Sequence, residues 1–298
     1  MPKVCIVTGA SRGIGYGIAK VLAEEEGATV YATARSQTAL NDLSTSIKSS
    51  GGVIHPCVVD QTDDSAVEKF VSNVKTKETQ IDLLVNSAFG GLTAMAPHFG
   101  QPFWERPISV FDASMNVGLR SAFVMSKFVA PHMVENKTGL MVQVSSFGGH
   151  SYLFDIGYGV GKAGLDRLSA DMATELATHG VSSVTLYPGG AVTETAKFPG
   201  GETPTFAGRA IAALLMRTSS EELSLINGKV TFTMELALKH GFMDSSGKLP
   251  DGPFSSEEAA SSMRAALGNT PFQYNLKAPM PDPKETNSKE AAGLFPGA

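Results

Sequence analysis

Val4-Cys5-Ile6-Val7-Thr8-Gly9-Ala10-Ser11-Arg12-Gly13-Ile14-Gly15 stands near the head of the 298-residue chain and decides its architecture. Four consecutive apolar residues suit a parallel strand covered on both faces. A glycine-rich turn follows, and then Ile14, Ile18, Val21 and Leu22 recur at helical spacing as far as Gly27. Strand, glycine turn and helix start form the arrangement in which backbone N–H groups and the helix dipole meet a phosphate. Gly9, Ser11, Arg12, Gly13, Ile14 and Gly15 are therefore the candidate cradle, the glycines leaving room for a pyrophosphate. Their Gly-x-x-x-Gly-x-Gly spacing differs from the common dinucleotide fingerprint.

Working outward, Thr29-Val30-Tyr31-Ala32-Thr33 is a second strand, followed by Ala34-Arg35-Ser36. An acidic residue here would hold the adenosine ribose diol and select NAD, whereas a basic one accommodates the 2′-phosphate of NADP. Arg35, with Arg12 as a second cation, predicts NADP(H). Leu40, Leu43 and Ile47 mark a helix, and residues 53–59 a third strand ending in Asp60. That carboxylate is placed either to accept from an adenine amino group or to cap the next helix. Val67, Phe70, Val71 and Val74 give that helix; residues 82–85 form a fourth strand running into Asn86-Ser87-Ala88-Phe89-Gly90. This rhythm of strand and helix predicts a right-handed, doubly wound parallel sheet.

Residues 91–108 read as a Pro- and aromatic-rich loop, whose Phe99, Phe103 and Trp104 either line a cleft or pack on the body. A long helix over 110–134 bears Asn116. Strands at 140–144, 181–187 and 229–232 and helices at 158–175 and 206–215 complete a single α/β domain of Rossmann type, residues 1–250, with a seven-stranded parallel sheet. Residues 251–298 read as an extension: one capped helix from Ser255 to Leu267, then a tail with five prolines between Pro271 and Pro296 that reads as extended or disordered.

The chemistry concentrates in Ser145-Ser146-Phe147-Gly148-Gly149 and Tyr158-Gly159-Val160-Gly161-Lys162. Tyr158 and Lys162, four apart on a helix, are neighbours. A phenol titrates near 10, about three units too high for proton transfer at neutral pH, and an ammonium beside it favours the phenolate. A serine hydroxyl at the end of the preceding strand could hold a carbonyl oxygen while the tyrosine gives or takes a proton. That combination suits interconversion of a carbonyl and an alcohol.

Composition narrows the partners. With 42% hydrophobic residues, a net charge of -5 and a pI near 5.7, the chain is unlike a nucleic-acid or anionic-membrane surface. No apolar run reaches the roughly 18 residues of a membrane span, and Met1-Pro2-Lys3 leads straight into a strand, so the expectation is a soluble, cytoplasmic protein. Cys5 and Cys57 both fall in apolar runs and read as core residues. The six histidines show no ligand spacing with Cys or carboxylates, so no metal is expected.

Taken together, the Thr8-Gly9-x-x-x-Gly13-x-Gly15 turn, Asp60, Asn86-Ser87-Ala88, Asn116, the serine pair, Tyr158-x-x-x-Lys162 and Pro188-Gly189-x-x-x-Thr193 resemble the short-chain dehydrogenase/reductase family, in family order and over residues 3–245. Phe89-Gly90-Gly91-Leu92, Phe103-Trp104-Glu105, Tyr158 to Ala163 and Asn227 to Gly241 are similar to the branch called dehydrogenase/reductase member one. The resemblance implies Tyr158 as general acid/base, Lys162 lowering its pKa and holding the nicotinamide ribose, a serine orienting the carbonyl, and Asn116 ordering a water of a proton relay. It implies an adenine contact at Asp60, a sheet-stabilising and cofactor-side role for Asn86 and Ala88, and contacts of Pro188, Gly189, Ala191 and Thr193 with the nicotinamide end. It also implies pairing through the helices at 110–134 and 158–175, hence a homodimer or homotetramer.

Three departures from the family pattern stand out. Phe89 replaces a glycine. The distance to the tyrosine selects Ser145, whereas the distance to Gly149 selects Ser146, which is preferred here. The segment after Thr193, residues 194–205, is short and reads as a flexible polar loop beside an open cleft. The expected function is an NADP(H)-dependent carbonyl reductase acting on a small-molecule ketone, aldehyde or alcohol. The alternatives are a catalytically silent NADP(H)-binding sensor or scaffold and, further off, an epimerase or dehydratase on the same fold.

Overall fold

Alternation along the strands divides the core into two layers. Cys5 and Val7 of β1 (Val4–Thr8) face one side and Val4 and Ile6 the other, because successive side chains on a strand point to opposite faces. The computed structural model describes residues 1–268. In chain order β1 leads to α1 (Gly13–Glu24), β2 (Thr29–Ala34), α2 (Gln37–Ser49), β3 (Val53–Val58), α3 (Asp64–Lys75) and β4 (Leu83–Asn86). Then come α4 (Gly91–Met95), α5 (Ile108–Ser114), a wide turn Met115–Arg120, α6 (Ser121–Asn136), β5 (Gly139–Val144), α7 (Ile156–Leu176) and β6 (Val181–Tyr187). The described residues close with α8 (Pro204–Met216), α9 (Ser220–Ile226), β7 (Val230–Phe232), α10 (Thr233–His240) and α11 (Glu257–Gly268).

All seven strands are parallel, in the order β3-β2-β1-β4-β5-β6-β7. One layer packs α1, α2 and α8 on the sheet through Ile18, Leu22, Leu40, Leu43 and Ile211; the opposite layer packs α3 and α6 through Val67, Phe70, Val129 and Met133. The chain is thus a doubly wound Rossmann-type α/β fold, and the switch point lies where β1 and β4 adjoin. Ligands in such sheets bind at the carboxyl ends of the strands beside that point.

Several expectations need correction. The helix expected over 110–134 is broken: the wide turn between α5 and α6 leaves the helical region at Val117 (φ -108°, ψ 64°), and the freed Val117 carbonyl accepts the Gly90 N–H at 2.7 Å. The loop at 91–108 contains α4, and α9 and α10 were not expected. β3 is a rim strand rather than a buried one, with Val53 and Val58 exposed, so Cys57 is only half-buried while Cys5 lies wholly in the core. Pro56 sits in β3, and β7 at the opposite rim has three residues. The proline-rich tail lies outside the described residues; among those described, no helix is long and apolar enough to cross a membrane.

Candidate active site

A cleft of about 690 Å³ opens over the carboxyl ends of the strands. Its walls bring together Gly9, Ser11, Arg12, Gly13, Ile14, Gly15, Arg35, Asp60, Ala88, Ser145, Tyr158, Lys162 and Thr193, residues that lie up to 184 positions apart in sequence. Asn86, Asn116, Ser146, Pro188, Gly189 and Ala191 do not line it. Phe89, Leu92, Thr93, Val117 and Glu194 do, although the sequence assigned none of them a catalytic or cofactor role.

At the cradle, Gly9 has φ +69°, and a Cβ there would stand 2.7 Å from Ala88 Cα; a Cβ on Gly15 would stand 2.5 Å from the Gly9 carbonyl oxygen. Neither position tolerates a side chain. The α1 start has no side-chain cap, so its first N–H groups face the cleft. One is taken by the chain itself: Gly13 N–H donates to Glu194 Oε2 at 3.0 Å. A carboxylate is stabilised there for the reason a phosphate would be.

Beside the cradle, Arg12 Nη2 donates to Thr93 Oγ1 at 3.0 Å across the cleft, whereas the Arg35 side chain is exposed. Asp60 accepts from the backbone and hydroxyl of Thr62 (2.9 and 2.8 Å), and these bonds, with Arg35 nearby, hold it below the usual carboxylate range. It does not cap α3: Asp63 does, accepting from Ala66 N–H at 3.0 Å. Thr8 Oγ1 accepts from Ser87 and Ala88 N–H (3.0 and 3.1 Å), fixing the start of the segment that carries Phe89. Asn86 points away from the cleft and donates to Gln143 Oε1 and Ser126 Oγ, both at 3.0 Å, which ties β4 to β5 and α6.

Tyr158 lies on the first turn of α7, where Asp155 caps the helix by accepting the Tyr158 N–H at 2.6 Å. The other Asp155 oxygen pairs with Arg106 Nη1 at 3.0 Å, the carboxylate buried and the guanidinium largely so. The ring of Tyr158 sits edge-to-face between Phe89 (5.5 Å) and Phe154 (5.0 Å). Burial pushes its phenol up to about 12; the nearby Ser146 hydroxyl opposes this, and the charge of Asp166 adds to it. Lys162 is buried one turn further along α7. Its Nζ donates to the Val144 carbonyl at 3.0 Å and stands over the faces of Phe89 (4.6 Å) and Tyr158 (5.7 Å). Burial lowers it to about 8.

The two serines are oriented differently. Ser145 is buried and donates to the Lys162 carbonyl at 3.1 Å. Ser146 accepts the Gly148 N–H at 3.1 Å and faces the Tyr158 phenol. Asn116 is exposed, because the helix opens at Val117 and turns that residue into the cleft instead. Phe99, Phe103 and Trp104 are exposed, with Phe99 edge-on to Phe154 at 6.0 Å; they neither line this cleft nor pack fully on the body.

The segment after Thr193 is not a loose loop. Val192 N–H donates to the Glu202 carbonyl (2.8 Å), Glu202 N–H to the Gly190 carbonyl (3.0 Å), and Gly252 N–H to the Gly200 carbonyl (2.8 Å). The Glu202 side chain is fully buried, accepting from Gly189 N–H (3.0 Å) and Thr233 Oγ1 (2.6 Å), and burial raises it to about 7. Between its ordinary value and about 7 the native chain therefore keeps a proton that the unfolded chain has released, so rising pH costs stability through that window. Glu202→Gln is expected to flatten the fall in Tm between pH 5 and 7.5. Parallel Tm–pH curves for variant and wild type would contradict this.

The family model for short chain dehydrogenases matches residues 3–200. The chain is 38% identical over 267 residues to dehydrogenase/reductase SDR family member 1 of Mus musculus, covering 83% of this chain and 84% of the relative, and 39% identical over 267 residues, with the same coverage, to the protein of that name from Homo sapiens. Among solved structures, a metagenomic short-chain oxidoreductase in complex with NADP superposes with a TM-score of 0.66 at 27% identity, covering 77% of this chain and 95% of the other.

Proposed function

Because the chain belongs to the short-chain dehydrogenase/reductase family, we propose that it is an NADP(H)-dependent carbonyl reductase, interconverting a ketone or aldehyde and its alcohol. The observation that carries this reading is the buried Tyr158 phenol, with the Ser146 hydroxyl near it and Lys162 one turn away, in the same cleft as the side-chain-free cradle at Gly9 and Gly15. The cradle suits a dinucleotide: its close glycines admit a pyrophosphate, and uncapped N–H groups supply donors. Gly9 to Gly15 would hold that group, Arg35 and Arg12 the 2′-phosphate, Asp60 the adenine, and Lys162 with residues 188–193 the nicotinamide end. When bound, the cofactor supplies the hydride.

The chain's own residues handle the proton. Tyr158, protonated at neutral pH, gives its hydroxyl proton to the oxygen of the carbonyl being reduced, and Ser146 donates a hydrogen bond to the same oxygen. Ser145, turned to the Lys162 backbone, supports the helix. Asn116, exposed, has no direct part in this scheme. Pairing of subunits through α6 and α7 is part of the same reading, supported by the exposed Phe123 and Val160 on those helices.

The test is NADPH oxidation by the purified protein against a panel of ketones and aldehydes, with NADH in parallel. Turnover with NADPH supports the reading; tight NADPH binding without turnover on any compound would favour a silent binding protein. Ser146→Ala is expected to lower kcat about 10²-fold, while Ser145→Ala lowers Tm and changes kcat little. The opposite order of effects would move the role to Ser145.

A further inference from the structure

Lys162 poses a problem that the bonds at its own atoms do not solve. It is buried, and its ammonium meets a backbone carbonyl and two ring faces, all formally neutral. An unpaired buried charge is costly and ordinarily neutralises. One helical turn further along α7 lies a second ionisable group that the proposed chemistry leaves unused, the half-buried Asp166, whose carboxyl is turned inward. Its Oδ2 accepts the Tyr187 hydroxyl of β6 at 2.5 Å, and its Oδ1 is buried without a hydrogen-bond partner. The space is made for it: a Cβ on Gly149 would stand 2.8 Å from that Oδ2. Ser145, from the end of β5, joins the two, bonding the Lys162 carbonyl and facing the Asp166 carboxyl.

We propose that Asp166 is a positioning residue of this site, the inward-turned counter-charge, anchored by Tyr187, that keeps Lys162 an ammonium. This rests on the reading of Lys162 as the partner of Tyr158. The two side chains do not touch as an ion pair, so the coupling runs through the dry interior between them, where charges interact more strongly than in water. The groups facing Asp166 are Lys162 and Tyr158 on its own helix, Tyr187 from β6 and Ser145 from β5; Arg264 of α11 acts from behind Tyr187, lying over Phe232 at 4.8 Å. Burial raises Asp166 to about 7, while Tyr187, Ser145 and Lys162 pull it back. Burial likewise lowers Lys162, and the charge of Asp166 works against that. The same charge also raises the Tyr158 phenol.

Asp166→Asn tests this, because the amide oxygen can still accept from Tyr187 while the charge is gone. The alkaline limb of kcat/KM is expected to move down by about one pH unit, and the Tyr158 phenol, titrated by ultraviolet absorbance against Tyr158→Phe as blank, is expected to titrate lower. Tyr187→Phe, which keeps the carboxylate, is expected to shift the limb less while lowering Tm. A folded Asp166→Asn variant with wild-type pH profile and phenol titration would overturn the proposal and leave Asp166 an anchor for Tyr187. Should that variant fail to fold, Lys162→Met gives the reciprocal reading: loss of the ammonium raises the pKa of the buried carboxyl, followed by its protonated C=O infrared band. An unmoved band would equally overturn it. If the wild type turns over no carbonyl compound, the functional reading fails, and the phenol titration still decides Asp166.

Discussion

Tyr158→Phe is expected to leave the protein folded, with NADPH affinity within a few-fold of wild type, and to lower kcat by about 10²–10⁴-fold. The asymmetry follows from where the two halves of the side chain sit. The ring, held between Phe89 and Phe154, is retained, so the packing of the α7 start survives. The hydroxyl, with Ser146 as its partner, is the part that is lost. The pH dependence has a definite sign. A phenol held near 12 is protonated throughout the neutral range, so carbonyl reduction, which needs the proton, is expected to stay level and then fall at alkaline pH. Alcohol oxidation, which needs the phenolate, is expected to rise with pH. Steady-state NADPH consumption and NADPH fluorescence measured on the same variant separate chemistry from binding. A variant retaining activity within a few-fold would remove Tyr158 from the proton path.

The second large effect concerns the cofactor. Arg35→Ser is expected to weaken NADPH binding by about 10- to 100-fold, the worth of a charged hydrogen bond, and to leave NADH nearly unchanged. Arg12→Ala is expected to do less, because Arg12 already bonds Thr93. Arg35→Asp is expected to reverse the preference, since a carboxylate repels the 2′-phosphate and can accept from a free ribose diol. Dissociation constants of both nucleotides, by fluorescence titration, decide it. Equal losses for NADPH and NADH would mean that Arg35 acts on something the two share.

The sheet was legible because parallel strands are covered on both faces and read as unbroken apolar runs, as in Val4 to Val7 and Leu140 to Val142. β3 misled in degree, since Val53 and Val58 face solvent at the rim while Ile54 packs in the core. The cradle and the Tyr158–Lys162 pair were legible because their spacing is local. What escaped was set by distant neighbours. The opening at Val117 is stabilised by Gly90, 27 positions earlier. Glu202 reads as a loop carboxylate, and its burial depends on Thr233 and on Gly189. Asp166 sits at plain helical spacing from Lys162, but its burial against Tyr187 belongs to another strand. The choice between the serines turned on a one-residue difference in loop length that spacing alone could not assign.

The two rims of the sheet govern what the molecule can do with its neighbours. An open strand edge offers a row of N–H and C=O groups on which a strand from another molecule can add. At one rim, Val59 N–H donates inward to Ala34, and the alternation along β3 turns the nitrogen of Pro56 outward, where it has no hydrogen to give. At the other, β7 presents three residues, too short a template to hold an intruder. Growth of the sheet from one copy to the next is discouraged at both ends, so the protein should resist cross-β aggregation, and association between copies falls to the helical faces.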